Sequence, residues 1–186
     1  VAIGLADTVN AQHALGLDLY NALGGNFFQP IDSTSPVVYA NGYNTGTAQF
    51  TAAVTDSQSL TTSDYMLYFD GANYTLTRQT DNVVVGTFAG FPATADGITI
   101  TQTAAGAAAG DTYLIQPTRN GARDFGVVIV DPARIAAAGP VRSGEATNIS
   151  GVPTNLGTGR ITQPVVSNTT NLPLAANITL TFDPNA

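Results

Sequence analysis

The sequence predicts a mainly β fold: an antiparallel β domain with a short N-terminal helix and one short Ala-rich helix, plus an incomplete second β unit. Three observations predict it. Residues 64–78 read as a hairpin, with Tyr65, Leu67 and Phe69 alternating on one strand, Asp70-Gly71-Ala72-Asn73 as the turn, and Tyr74 and Leu76 on the return strand. Five more strand candidates, 47–54, 83–88, 97–103, 112–116 and 126–130, lie between Gly, Asp, Asn and Ser turns at short, even spacing. The chain also partly repeats itself. Gly46-Thr47-x-x-Phe50-Thr51-x-x-Val54 aligns with Gly157-Thr158-x-x-Ile161-Thr162-x-x-Val165, and Leu67-x-Phe69-Asp70 aligns with Leu180-x-Phe182-Asp183.

In chain order, residues 1–14 read as a helix, because Ala2, Leu5, Ala6, Val9 and His13 fall at helical spacing and Gly16 stands where a left-handed C-terminal cap is expected. No N-cap precedes the pattern, and the chain opens on Val, so the helix is expected to be the tail of a longer one. Residues 16–32 are a Gly- and Asn-rich connector with Phe27-Phe28 as an apolar plug and Pro30 as a breaker. In the hairpin, pairing Phe69 with Tyr74 sets Leu67 opposite Leu76 and Tyr65 opposite Arg78. The large side chains then share a face that needs a partner layer. Residues 106–111 are a small-residue turn between two alternating strands, Ile98 and Ile100 before it and Tyr113 and Ile115 after it. Asp131-Pro132 supplies an N-cap and a first-turn proline for an Ala-rich helix through Ala138, which Gly139-Pro140 ends. Beyond Pro140 the composition turns to Ser, Asn, Thr, Gly and Pro. A second β unit is expected to start near Gly157 and to stop at its second strand, and such a half-unit cannot bury a sheet face alone.

Composition narrows the function classes. The 186 residues are 44% hydrophobic, much of it Ala, with no Trp, no Cys and one Met, so the core is expected to be thin. Charged residues are 10% of the chain, all six basic residues are Arg, and the net charge is −7, which argues against nucleic acid or an anionic membrane as partner. The absence of cysteine removes disulfides, thiol catalysis and thiolate metal sites. No apolar run reaches the length of a membrane span, and no signal-like segment opens the chain.

No catalytic, cofactor-binding or metal-binding residues are assigned, and the chain reads as a non-enzyme. The single histidine, His13, reads as a satisfied helix-face or interface residue; a Ser-His-Asp triad would have to use it, and no Gly-x-Ser-x-Gly elbow exists. Residues 18–26 superficially suggest a Ca²⁺ loop, but Tyr20, Ala22 and Leu23 fall where such a loop needs two oxygen ligands and its glycine. Gly157-x-Gly159 is followed by Thr162 outside any strand-helix context, so no phosphate cradle is implied. Asp96, Asp111, Asp124 and Asp131 are the carboxylates that a glycosidase reading would pair, although each sits at a turn or strand boundary, where Asp serves structure. The N-glycosylation pattern at Asn73, Asn148, Asn168 and Asn177 reads as chance in so Asn- and Thr-rich a chain. Tyr39, Tyr43 and Tyr68 are the candidate surface-contact residues, although buried or edge packing is the reading favoured for each.

Residues 6–19, Ala-Asp-Thr-Val-Asn-Ala-Gln-His-Ala-Leu-Gly-Leu-Asp-Leu, followed by Gly24-Gly25-Asn26-Phe27-Phe28, resemble the helix end and connector of the bacterial flagellar hook-associated protein 1 family. The resemblance continues through Thr55-Asp56, Ser63-Asp64-Tyr65, Phe69-Asp70 and Thr77-Arg78. It extends through Asp96-Gly97-Ile98, Gly110-Asp111-Thr112-Tyr113 and Gln116-Pro117 to Val127-x-Ile129-x-Asp131 and Ile135-Ala136-Ala137-Ala138. It covers about residues 6–138, in order and with compatible spacing.

The resemblance implies a structural subunit of the extracellular flagellum at the hook-filament junction. Its partners would be neighbouring copies, the hook protein and hook-associated protein 3. Residues 1–27 would be the end of a core-domain helix and its connector, 28–142 a projecting β domain, and 143–186 a linker with the truncated start of a second β unit. The coiled-coil termini of the family are missing from this chain, which alone is expected to be monomeric. The rival reading is an extracellular carbohydrate-binding or adhesin-like β module, which needs tyrosines clustered on one solvent face.

Overall fold

The computed structural model describes residues 1–30, 36–155, 157–174 and 176–181. They divide into two compact units. The first comprises Val1–Asn10 and Asn26–Val128, the second Ala11–Gly25 and Ile129–Ala186.

The first unit holds a five-stranded and a three-stranded antiparallel sheet. In chain order the strands are β1 (Val37–Ala40), β2 (Gln49–Val54), β3 (Tyr65–Phe69), β4 (Tyr74–Arg78), β5 (Val83–Phe88), β6 (Ala93–Ala95), β7 (Ile98–Ala104) and β8 (Thr112–Gln116). The sheets run β1-β8-β3-β4-β5 and β2-β7-β6. At their margins β1 lies beside β2 and β5 beside β6, so both edges of the larger sheet are covered by the smaller one. The hairpin register is the one expected, with Phe69 paired to Tyr74, Leu67 to Leu76 and Tyr65 to Arg78. Because strand side chains alternate, Tyr65, Leu67, Tyr74, Leu76, Tyr113 and Ile115 face Phe50, Ile98 and Ile100 of the smaller sheet and bury with them as one cluster. Aromatic edges close its end. The Phe50 ring stands 4.6 Å from Tyr113 and 4.9 Å from Phe91, both edge-on.

The strands β1 and β6 were not expected from the sequence. Each is short and carries little alternation of its own. Asp96-Gly97 between β6 and β7 has φ of 45° and 78°, the two left-handed positions of a tight hairpin turn, and a Cβ on Gly97 would stand 2.2 Å from the Asp56 carbonyl oxygen. Conversely, 126–130 forms no strand. Phe28 and Val127 make a single antiparallel bridge there, with the Val128 N–H donating to the Phe27 carbonyl and the Gln29 N–H to the Gly126 carbonyl.

Helix α1 (Ala2–His13) forms as expected, but its buried stripe is Ile3, Ala6 and His13, with Leu5 exposed. Ile3 and Ala6 pack on Phe28, Val54, Leu60 and Phe125. Asn10 lies on the same side because its amide satisfies backbone groups: Oδ1 accepts from the Phe27 and Phe28 N–H groups at 2.8 Å each, and Nδ2 donates to the Phe28 carbonyl at 3.0 Å. Asn10→Ala leaves those partners stranded and is expected to cost about 1–3 kcal/mol in chemical denaturation. A change within the error of the measurement would show that water takes over all three bonds.

In the second unit, Leu17 and Ala138 exchange backbone hydrogen bonds at 2.7 and 3.1 Å, and Leu19 N–H donates to the Ala133 carbonyl at 3.0 Å. The Ala-rich helix is shorter than expected. Asp131 caps it by accepting from Ala133 N–H, but it is one 3₁₀ turn, Pro132–Arg134, because the chain beyond is drawn straight to pair with Leu17. Gly16 is not a left-handed cap. A Cβ there would come within 2.2 Å of the Ala136 carbonyl oxygen, so the glycine serves close backbone packing.

Between 139 and 181, the described residues contain no strand, only the isolated bridge between Thr147 and Pro153. Ile161 is 61% exposed, whereas Phe50, its counterpart in the repeat, is 7% exposed. Phe182 and Asp183 lie outside the described residues.

Candidate interaction surface

The histidine and each carboxylate singled out in the sequence have structural partners. His13 is buried and bonded at both ring nitrogens, Nδ1 to the Gly25 carbonyl at 2.7 Å and Nε2 to Ala136 N–H at 2.8 Å. A carbonyl only accepts and a backbone N–H only donates, so Nδ1 carries the proton and Nε2 the lone pair. With both nitrogens committed, the ring serves as a clasp. Asp18, in the stretch that superficially suggests a Ca²⁺ loop, accepts from Tyr20 N–H at 2.8 Å and Ala22 N–H at 2.9 Å and thereby closes a local turn. Asp131 is a cap that also accepts from the Tyr20 hydroxyl at 3.3 Å. Asp124 pairs with exposed Arg123 at 2.7 Å.

Asp96 and Asp111 carry the longer-range networks. Asp96 accepts from the Tyr65 hydroxyl and from Arg78, both at 2.9 Å, while Arg78 also grips Asp81 at 2.7 Å. The network ties the start of β3 and the end of β4 to the β6-β7 turn. Asp111 is 2% exposed and gathers three loop amides, Thr45 N–H at 2.9 Å, Gly46 N–H at 3.4 Å and Ala108 N–H at 2.8 Å, with the Tyr113 hydroxyl at 3.4 Å. The Ala108 amide, together with Thr45, Gly46 and the Tyr113 hydroxyl, favours the ionised form and holds this carboxyl below the usual range against the cost of burial. Burial and the neighbouring Asp111 charge push Tyr113 up to about 12. A glycosidase acid needs a carboxyl raised above its ordinary value, and Asp111 moves the other way. Among the described residues no cluster of three or more His, Asp or Glu could hold a metal ion.

The feature left without an internal role is the outer face of the five-stranded sheet. Alternation that turns Tyr65 and Leu67 inward turns Met66 and Tyr68 outward. Across the strands the register sets Tyr39, Leu114, Met66, Thr77 and Val84 in one row, and Thr112, Tyr68, Thr75 and Thr87 in the next. Tyr39 and Tyr68 are 52% and 43% exposed on this face, and Tyr43, in the turn after β1, is 94% exposed. The two sheet tyrosines come from strands separated by β8, with Leu114 and Met66 between them. They form no adjoining ring platform. The face is apolar at its centre and threonine-rich around it.

These features define a structural β module, its carboxylates used for turns and loop closure and one mixed apolar face turned to solvent. The family described as "Flagellar hook-associated protein 1, D2-like domain" matches residues 39–117. Flagellar hook-associated protein 1 of Salmonella typhimurium is 35% identical over 147 residues, 74% of this chain and 25% of the relative; that of Escherichia coli K12 is 29% identical over 153 residues, 81% of this chain and 27% of the relative. The solved structure of the flagellar hook junction protein FlgK from Burkholderia pseudomallei is similar with a TM-score of 0.69 and 38% identity, over 76% of this chain and 26% of that one. Residues 39–117 therefore belong to the flagellar hook-associated protein 1 family as its D2-like domain, and the chain spans about a quarter of the length of the curated relatives it matches.

Missed in the sequence were Asn10, Asn44 and the Arg78 bridge. Asn44 holds Thr112 from both sides, its Nδ2 on the carbonyl at 2.8 Å and its Oδ1 on the N–H at 2.9 Å. No local pattern announces such a contact, because its partner is 68 residues away.

Proposed function

We propose that this chain is part of a non-catalytic structural subunit at the hook-filament junction of the bacterial flagellum. The observation that supports this most is the D2-like match over the strands that build the two-sheet core. In this reading residues 28–142 project outward from the junction, 1–27 are the end of a core-domain helix with its connector, and 143–186 lead into a second β unit. The subunit is extracellular, and its neighbours are further copies of itself, the hook protein and hook-associated protein 3. Assemblies of this kind spread binding over repeated subunit contacts, which suits a broad, mildly apolar sheet face better than one deep pocket. The structural use made of each candidate carboxylate supports a scaffold over a hydrolase.

The test is genetic and visual. Deleting the parent gene in its source bacterium is expected to leave hooks without filaments, with flagellin shed into the medium, and the intact gene is expected to restore filaments. Normal filaments in the deletion strain would overturn the reading.

A further inference from the structure

Two Asn-Gly pairs occur in the chain, Asn41-Gly42 and Asn120-Gly121, and the fold treats them oppositely. Glycine lets the backbone fold back far enough for its own nitrogen to reach the preceding Asn Cγ. At Asn120 that approach is blocked. Gly121 N–H donates to the Thr118 carbonyl at 3.2 Å, and a Cβ on buried Gly121 would meet Ile3 at 2.8 Å. The Asn120 carbonyl is held as well, by Asp124 N–H at 2.9 Å.

Asn41 lies in the exposed turn leaving β1, with open space around Gly42. Its backbone carbonyl accepts from Asn44 N–H at 3.0 Å. Its side-chain Oδ1 accepts from Tyr43 N–H at 3.0 Å, and Nδ2 donates to Thr112 Oγ1 at 3.0 Å. The turn therefore engages the amide at both ends and leaves Gly42 N–H out of its hydrogen bonds. When the Gly42 nitrogen adds to Cγ, negative charge develops on Oδ1, where the Tyr43 N–H already points. The nitrogen that must leave lies against a hydroxyl that can relay a proton to it.

We propose that Asn41 is a self-modification site, at which the chain converts Asn41-Gly42 to a cyclic imide and then to aspartate or isoaspartate. The Gly42 N–Cγ bond forms, the Cγ–Nδ2 bond breaks, and the Gly42 proton leaves with the departing ammonia. Water then opens either C–N bond of the imide. Nothing is oxidised or reduced. Both products add a negative charge to the chain, and isoaspartate inserts a methylene into the backbone just before Asn44, which holds Thr112 in place.

The intact chain is incubated at physiological temperature in mildly alkaline buffer and sampled over weeks. Peptide mass mapping follows conversion at both pairs, and isoaspartyl methyltransferase labelling follows the isoaspartate. Asn41 is expected to convert at least about tenfold faster than Asn120, and Gly42→Ala, which meets no neighbouring atom, is expected to slow it by roughly the same factor. Equal rates at the two pairs, or conversion at Asn41 that Gly42→Ala leaves unchanged, would overturn the proposal.

Discussion

Leu67→Ala is expected to destabilise the β unit by about 3–4 kcal/mol, within the range for large-to-small changes in a close-packed core. Leu67 lies on β3, the central strand of the larger sheet, is fully buried, and is paired with Leu76 on one side and Tyr113 on the other. Strands hydrogen-bonded on both sides cannot move inward to fill the space, so the lost side chain leaves a cavity. Domain stabilities are typically about 5–15 kcal/mol, so such a loss would remove a large share of the total. Tyr68→Ala, one position along the same strand, is the control. It changes a half-exposed outer residue and is expected to cost no more than about 1 kcal/mol. The check is urea unfolding of wild type and both variants. Equal losses would mean that the two faces of β3 are not, one buried and one exposed, as the register has them.

Asp111→Asn is expected to lower Tm by about 5–10 °C, despite the near-identical shape of the two side chains. Both Asp111 oxygens are acceptors, one for Thr45 and Gly46, the other for Ala108. An amide keeps one acceptor and presents an NH₂ group to a backbone N–H. If the acceptor is kept toward Thr45 and Gly46, the clash falls on Ala108; if it is flipped, on the other loop. Gly46 tolerates little adjustment, because a Cβ there would already stand 2.3 Å from Asp111 Oδ2 and 2.4 Å from the Gly106 carbonyl oxygen.

The substitution also has a pH signature. Asp56, Asp70, Asp81 and Asp111 are all held below the ordinary carboxylate value, by hydrogen bonds to Ser59, to the Asn73 and Ala72 amides, to Arg78, and to the Ala108 amide respectively. In the unfolded chain these groups take up protons at a higher pH than in the folded one. Their stabilisation is therefore complete above the unfolded value, near pH 4, and is lost as pH falls toward the folded values. Wild type is expected to lose stability through this acid range, and Asp111→Asn to lose it less steeply. Parallel acid profiles would show that Asp111 contributes nothing through its charge.

Much of the fold was legible because its signals are local. The alternation of Tyr65, Leu67, Tyr74 and Leu76 around Asp70-Gly71 dictates a hairpin and its register before any tertiary contact is known. The same alternation marks Ile98 and Ile100, and Tyr113 and Ile115, as inward-facing. The family was legible for a related reason: turn and cap residues such as Asp70, Asp96-Gly97, Asp111 and Asp131 have fixed local duties, so their spacing persists as a pattern. At the candidate surface, Tyr39, Tyr43 and Tyr68 are exposed, whereas residue type alone favours buried or edge packing for them over surface contact. Their grouping with Leu114 and Met66 was not foreseen, because it depends on which strands adjoin.

By itself, then, the sequence determined the class, the central hairpin, six of the eight strands and the start of the turn at Asp131. Only the tertiary structure decided the rest. Val37–Ala40 became a strand because β8 offered it an edge, and Ala93–Ala95 because Asp96-Gly97 folds it back on β7. Helix α1 turns Asn10 and His13 inward in preference to Leu5 because distant backbone groups satisfy their polar atoms. The Ala-rich stretch gives up helix after Arg134 because pairing with Leu17 satisfies its backbone instead. In each case the deciding partner is a backbone group supplied by another segment, and local propensity carries no record of where that group will stand.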